Sequence, residues 1–320
     1  MTENANISRR GRYALFVAKV AYHFPILGNL RQNGEIQKLQ AEYEPAWKCP
    51  EHLDLTEIEL ENCKAELLVK KAVEGEERGK CGIVLQLHGG GYYGGMHNTY
   101  RDTAAMYIEV SGGYSVLTPD YRTAPENPYP AALQDAIACY EYILTMGFDP
   151  SEIVIAGDSA GGGLALALVL YLRNNERPMP GGLITMSAWT DLTASGASYS
   201  EHFGDDPIFG GSYNTLIYKN GYYRGADPWD PYISPVFGSY EGFPPTLMQV
   251  GEMEMLLDDT KDVAGKLREA GVPVREHIYP GMFHVFQLGL TLFPESAEAW
   301  NEVRGFFKKI TPHQPPEAAG

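Results

Sequence analysis

The sequence predicts an α/β fold: a mostly parallel eight-stranded sheet, helices on both of its faces and a helical cap. Three observations carry this prediction. Short apolar runs recur from Leu55 onward, helical periodicity fills the gaps between the later ones, and two regions depart from the rhythm. Strands that alternate with helices run parallel, because each crossover brings the chain back to the same end of the sheet.

Along the chain, residues 1–50 are mostly helical by pattern. Arg9, Arg10 and Arg12 precede "YALFVAKVAYHF", which has the look of a signal peptide's basic and apolar regions. Lys19 interrupts the apolar core, no A-x-A cleavage site follows, and the run is too short to span a bilayer, so it reads as an amphipathic helix. The strand candidates are then "TEIELE", "AELLVK", "IVLQLH", "SVLTPD", "EIVIAG", "LITMSA", "TLMQVG" and "VREHIY". The helix candidates are Thr99 to Ser111, Ala131 to Met146, Ala160 to Arg173, Asp258 to Ala270 and Glu295 to Lys309. Between Thr190 and Phe243 the chain is rich in Gly, Pro, Asp and aromatics. A loop of that length belongs in a compact domain only as a lid or cap. The expected organisation is a helical cap segment (1–50), a catalytic domain in two pieces (51–189 and 244–310), a cap insertion (190–243) and a disordered Pro-rich tail (311–320).

The 320 residues, 44% of them hydrophobic, can bury a sizeable core. A formal charge of −16 repels nucleic acid and anionic membrane surfaces, so neither nucleic-acid binding nor stable membrane anchoring is expected. Cys49, Cys63, Cys81 and Cys139 are scattered without a CxxC pair, which signals neither a metal site nor a disulfide framework and fits the cytoplasm. No cofactor and no metal are expected.

Gly157-Asp158-Ser159-Ala160-Gly161 matches G-x-S-x-G between a predicted strand and a predicted helix, the context that motif requires. The turn is sharp enough that the residues two before and two after the serine must be almost free of side chain. Ser159 then stands at a helix N-terminus, whose dipole favours developing negative charge. His88-Gly89-Gly90-Gly91-Tyr92 follows another strand and suits an oxyanion loop, in which bare N–H groups approach a substrate oxygen. Gly89, Gly91 and Gly94 also fit the G-x-G-x-x-G dinucleotide fingerprint, leaving an NAD-dependent oxidoreductase as an alternative. Against it, no helix starts inside the loop and some eighty residues precede it. A serine nucleophile needs a base in chain order Ser, acid, His. Of the four later histidines, His313 lies in the tail, His277 inside a strand and His202 in the cap region, whereas His284 follows the last strand in a Pro-Gly loop.

These residues resemble the bacterial hormone-sensitive-lipase-like esterases of the α/β-hydrolase superfamily. The likeness spans about Thr56 to Lys309 and rests on "HGGGY", "GDSAGG", "PDYRTAPENPYPAALQDA", "SAWTDLTASGAS" and "GMFHVF". It implies an α/β-hydrolase fold, with Ser159 as nucleophile and His284 as base. It also implies an oxyanion hole at Gly89, Gly90, Gly91 and Ala160, in which Gly89 shapes the loop and the other three donate N–H groups. His88 would be structural. Two departures stand out: Ala188 where the family often has Pro in S-P-W, and Thr123 for a usual Leu. Ala124-Pro125 and Tyr129-Pro130 are positions where such sheets can adopt cis peptides.

Four carboxylates crowd "QVGEMEMLLDD": Glu252, Glu254, Asp258 and Asp259. Asp258 and Asp259 stand where a helix begins, the usual place for acids that cap or complement a dipole. Glu254 stands where the family places its catalytic Asp. It is the expected acid, with Asp258 as runner-up and Glu252 third.

The expected activity is carboxylic ester hydrolysis of short-chain acyl esters, by a Ser-His-Glu triad through an acyl-enzyme. Tyr92, Tyr93 and Asp158 are candidate pocket residues, and the aromatic wall of the cap region suggests a compact site. The expected partner is a small-molecule ester, with a homodimer left open. Plant gibberellin receptors resemble the same family but have lost the base, so a non-hydrolytic binding protein is the other alternative; the presence of His284 argues against it.

Overall fold

The computed structural model describes residues 7–22, 44–72, 81–213 and 215–310. Its strands are β1 (Leu53–Glu59), β2 (Lys64–Lys70), β3 (Ile83–Leu87), β4 (Ser115–Asp120), β5 (Ile153–Asp158), β6 (Gly182–Met186), β7 (Thr246–Gly251) and β8 (Val274–Tyr279). The α-helices are α1 (Arg9–Tyr22), α2 (Asn98–Val110), α3 (Ala131–Thr145), α4 (Ser159–Asn174), α5 (Ser198–Glu201), α6 (Leu257–Glu269) and α7 (Pro294–Ile310). The strands form one sheet in the order β1-β2-β4-β3-β5-β6-β7-β8. Both pairings of β2 are antiparallel and the other five in the sheet are parallel.

Burial explains why the middle strands read as unbroken apolar runs. Every position of β3, β5, β6 and β7 is buried, because helices cover both faces, while β1 at the edge leaves most of its residues exposed. Successive side chains alternate between two cores. Leu85, Leu117 and Ile155 join the larger one with α3, α4 and α6; Val84, Val116 and Val154 join the other, where Tyr107 of α2 and Trp300, Val303 and Phe307 of α7 close the layer.

The described residues of 190–243 hold little regular structure: α5, a short 3-10 turn at Pro235–Phe237, and otherwise mostly turns and bends. Aspartates build those turns by accepting N–H groups two residues on: Asp191 from Thr193, Asp206 from Ile208, Asp227 from Trp229 and Asp230 from Tyr232. Tyr222, Ile233, Val236 and Tyr240 anchor the segment in the larger core.

The N-terminal helix α1 packs on α7, where the Glu295 carboxylate accepts from both N–H and Oγ of Ser8. Among the described residues, no helix is long and apolar enough to cross a membrane. The two X-Pro bonds flagged by the sequence, Ala124-Pro125 and Tyr129-Pro130, are both cis. The predicted tail, residues 311–320, lies outside the described residues, as does His313.

Candidate active site

Ser159 stands between β5 and α4 with φ +52°, a left-handed backbone that a residue with a Cβ adopts only under strain. The glycines around it permit the turn. A Cβ on Gly157 would sit 2.2 Å from the Gly161 carbonyl oxygen, and one on Gly161 would sit 2.1 Å from that of Leu87. The strain and the close approach aim the Ser159 hydroxyl off the end of the sheet at the first turn of a helix.

The His284 ring lies against that hydroxyl, its Nε2 2.9 Å from Ser159 Oγ. On the other side, Nδ1 is 2.9 Å from Glu254 Oε2. A carboxylate at this distance selects the tautomer with the proton on Nδ1, which leaves Nε2 as acceptor for the serine proton. Glu254 is fully buried, and its second oxygen accepts the Gly251 N–H at 2.5 Å and the Ser187 hydroxyl at 2.7 Å. These bonds supply partners for a buried charge that would otherwise be costly.

The other acids of the cluster have different partners. Glu252 accepts the Gly281 N–H, and Asp258 accepts the Ser198 N–H and pairs with Lys261. Asp259 is buried and accepts the N–H groups of Thr190 and Asp191; burial, and then the nearby Asp191, push its carboxyl well above the usual range. The remaining histidines are also elsewhere: His277 stacks on Tyr279 beside Glu302, and His202 ends α5.

The 88–91 loop lies over β5. Gly90 and Gly91 have φ of +111° and +66°, and among the described residues their N–H groups take no part in the loop's hydrogen bonds. The Gly89 N–H instead donates to Asp158 Oδ1 at 3.1 Å, so Gly89 shapes the loop and is not free to donate to an oxyanion. Burial raises the Asp158 carboxyl to about 7, opposed by the nearby His284 and by that N–H. His88 is fully buried, stacks on Tyr121 with ring centroids 4.1 Å apart, and has Nδ1 2.8 Å from the Gly89 carbonyl. Burial lowers its pKa to about 4.

The three candidate pocket residues have other partners. Asp158 holds the loop; Tyr92, 1% exposed, stacks on Tyr222 at 3.7 Å; and the Tyr93 hydroxyl accepts the Gly221 N–H at 2.7 Å. Both tyrosines thus pin residues 190–243 to the loop. What reaches the site from that segment is Phe209, edge-on to the His284 ring with centroids 4.7 Å apart, and Leu216, which covers Gly91. Sequence reasoning missed Ser187 and Asp206 as neighbours of the site, whereas Phe209 belongs to the aromatic wall expected of the cap region. The only signal for Ser187 was its place in the "SAW" stretch.

The alpha/beta hydrolase fold family matches residues 84–288, more than half of the chain. The chain belongs to that family. More narrowly, it is one of the hormone-sensitive-lipase-like esterases, a serine carboxylesterase. An acetyl-hydrolase of Streptomyces hygroscopicus is 32% identical over 283 residues, 88% of this chain and 92% of the relative. An esterase/lipase from an uncultured bacterium superposes with a TM-score of 0.82 at 31% identity, covering 96% of this chain and all of that one. An esterase from the bacterial hormone-sensitive lipase family gives the same TM-score at 29% identity, covering 95% and 99%. The esterase has no dinucleotide cradle at Gly89 to Gly94. That loop closes on itself through the Tyr93 and Gly94 N–H groups to the Gly90 carbonyl, and α2 begins only at Asn98. Among the described residues, no group of His, Cys, Asp and Glu could hold a metal ion.

Proposed function

We propose that the esterase cleaves short-chain acyl esters of small alcohols, with Ser159 as nucleophile, His284 as general base and acid, and Glu254 as the acid that orients it. The observation that carries this is the hydrogen-bonded line from Glu254 Oε2 through both His284 nitrogens to Ser159 Oγ, each step 2.9 Å. Ser159 Oγ attacks the ester carbonyl while His284 Nε2 takes its proton. The developing oxyanion is met by the N–H groups of Gly90, Gly91 and Ala160 and by the α4 dipole. His284 then returns the proton to the leaving alcohol, and a water activated by the same nitrogen releases the acid from the acyl-enzyme. Glu254 stabilises the imidazolium formed in between.

Short acyl chains are supported by the crowding of Phe209 over His284 and Leu216 over Gly91, and by the acetyl-hydrolase among the relatives. Residues 190–243 act in this scheme as the cap. Four cysteines without disulfides support a reducing, cytoplasmic setting. The test is hydrolysis of p-nitrophenyl esters from acetate to palmitate. The rate should peak at the short end and vanish in Ser159→Ala. A retained rate removes the mechanism, and a peak at long chains removes the substrate class.

A further inference from the structure

Asp206 is a charged residue with 1% exposure, and no described cation pairs with it. Such a group persists in a core only where hydrogen bonds replace its water. Three backbone N–H groups do so, and they come from two separate parts of the site. Oδ1 accepts from Ile208 at 2.7 Å and from Phe209 at 3.0 Å, which fixes the turn that carries the Phe209 ring onto His284. Oδ2 accepts from Met255 at 2.8 Å.

Met255 follows Glu254, so its N–H belongs to the peptide plane that leaves Glu254. The carbonyl of Met255 is also held from the same insertion, by the Ser198 hydroxyl at 2.7 Å. Both backbone polar groups of the residue after the proposed acid are therefore met by side chains of residues 190–243. The earlier half of the loop is held differently, from the chain around β8, by Glu252 N–H to the Tyr279 carbonyl and Met253 N–H to that of Met282.

We infer that Asp206 is a positioning residue that couples the insertion to the catalytic acid: the carboxylate that seats Phe209 over His284 also sets the Glu254 peptide. Resting on the proposed Ser159–His284–Glu254 mechanism, this makes assembly of the triad conditional on the docking of the insertion. With the insertion undocked, the 254–255 peptide loses its acceptor, and Glu254 loses the backbone direction that brings Oε2 to the imidazole.

Two variants separate the two ends of the carboxylate. Asp206→Asn keeps the shape but replaces one accepting oxygen with a donor. Asp206→Ser can still accept the turn N–H groups, as Ser does in such turns, but is too short to reach Met255. Turnover of p-nitrophenyl acetate is measured for each, below its melting temperature, in the native chain and in a Glu254→Gln background. Either variant should lower kcat about tenfold with KM changed less than threefold in the native chain, and change kcat less than twofold when Glu254 is already Gln. Equal losses in both backgrounds, or native kcat in whichever variant folds, overturn the coupling. Failure of both variants to fold marks Asp206 as a folding residue and overturns it as well. If Ser159→Ala keeps the native rate, the underlying mechanism has failed instead, an outcome distinguishable because Asp206 plays no part in it.

Discussion

The Ser187 hydroxyl donates to Glu254 Oε1 at 2.7 Å and accepts the Val285 N–H at 3.0 Å, so one side chain at the end of β6 touches both the acid's carboxylate and the backbone next to His284. Its backbone φ of +50° marks how tightly the chain turns to bring it there. Ser187→Ala leaves the Val285 N–H without a partner and removes one of three donors from a buried carboxylate. Loss of a hydrogen bond to a charged group costs about 1.5–3 kcal/mol. Steady-state kcat should fall about tenfold to a hundredfold, measured beside a melting curve to show that the fold remains.

Glu254 and Asp258 lie four residues apart and should behave differently on removal. Glu254→Ala takes away the partner of His284 Nδ1 and should lower kcat by roughly 10³-fold or more. Asp258→Ala, at the start of α6, takes away an acceptor for the N–H of Ser198, the first residue of α5. It should cost about 1 kcal/mol of stability and little turnover. Kinetics and urea unfolding on the same two proteins decide between these roles.

His88 should make the protein sensitive to acid. Its folded pKa of about 4 lies below its ordinary 6.5, because burial opposes the charged ring. A depressed histidine contributes stability that is present above the unfolded pKa and is lost as the pH falls through the folded one, here from about 6.5 to about 4. His88→Asn keeps a donor toward the Gly89 carbonyl but cannot titrate. Between pH 7.5 and 4.5 the native chain should therefore lose roughly 2–3 kcal/mol more than this variant, by denaturant unfolding at both pH values.

Gly161 and Gly305 offer opposite outcomes for the same substitution. In Gly161→Ala the new Cβ would meet backbone oxygens of Leu87 and His88 at 2.1 and 2.4 Å, and these cannot move without parting β3 from α4. A loss of roughly 3 kcal/mol or more is expected, seen as a collapsed melting temperature. Gly305, inside α7 with nothing within 4 Å of its added Cβ, should gain up to about 1 kcal/mol as Ala, seen as a higher one.

Much of the fold was legible because its signals are local. Each of the eight strand candidates overlaps a strand, and each of the five helix candidates a helix, since short apolar runs and the 3.6-residue period survive in any short window. The glycine pattern around Ser159 was legible for the same reason, as the steric demand falls within five residues. The partners of Asp158 and Tyr92 were not. Asp158 accepts the Gly89 N–H and Tyr92 stacks on Tyr222, contacts across 69 and 130 positions that no local pattern signals.

The sequence alone determined the sheet, its covering helices, the strained serine and the order in which serine, acid and histidine candidates follow one another. Only the tertiary structure decided which carboxylate reaches His284, and that Ser187 and Asp206 stand behind it. Those contacts join residues 67 and 49 positions apart, Ser187 with Glu254 and Asp206 with Met255. No periodicity or spacing rule links such distant positions. They meet because parallel strands bring the ends of β6 and β7 side by side and the intervening insertion folds back over the loop that follows β7.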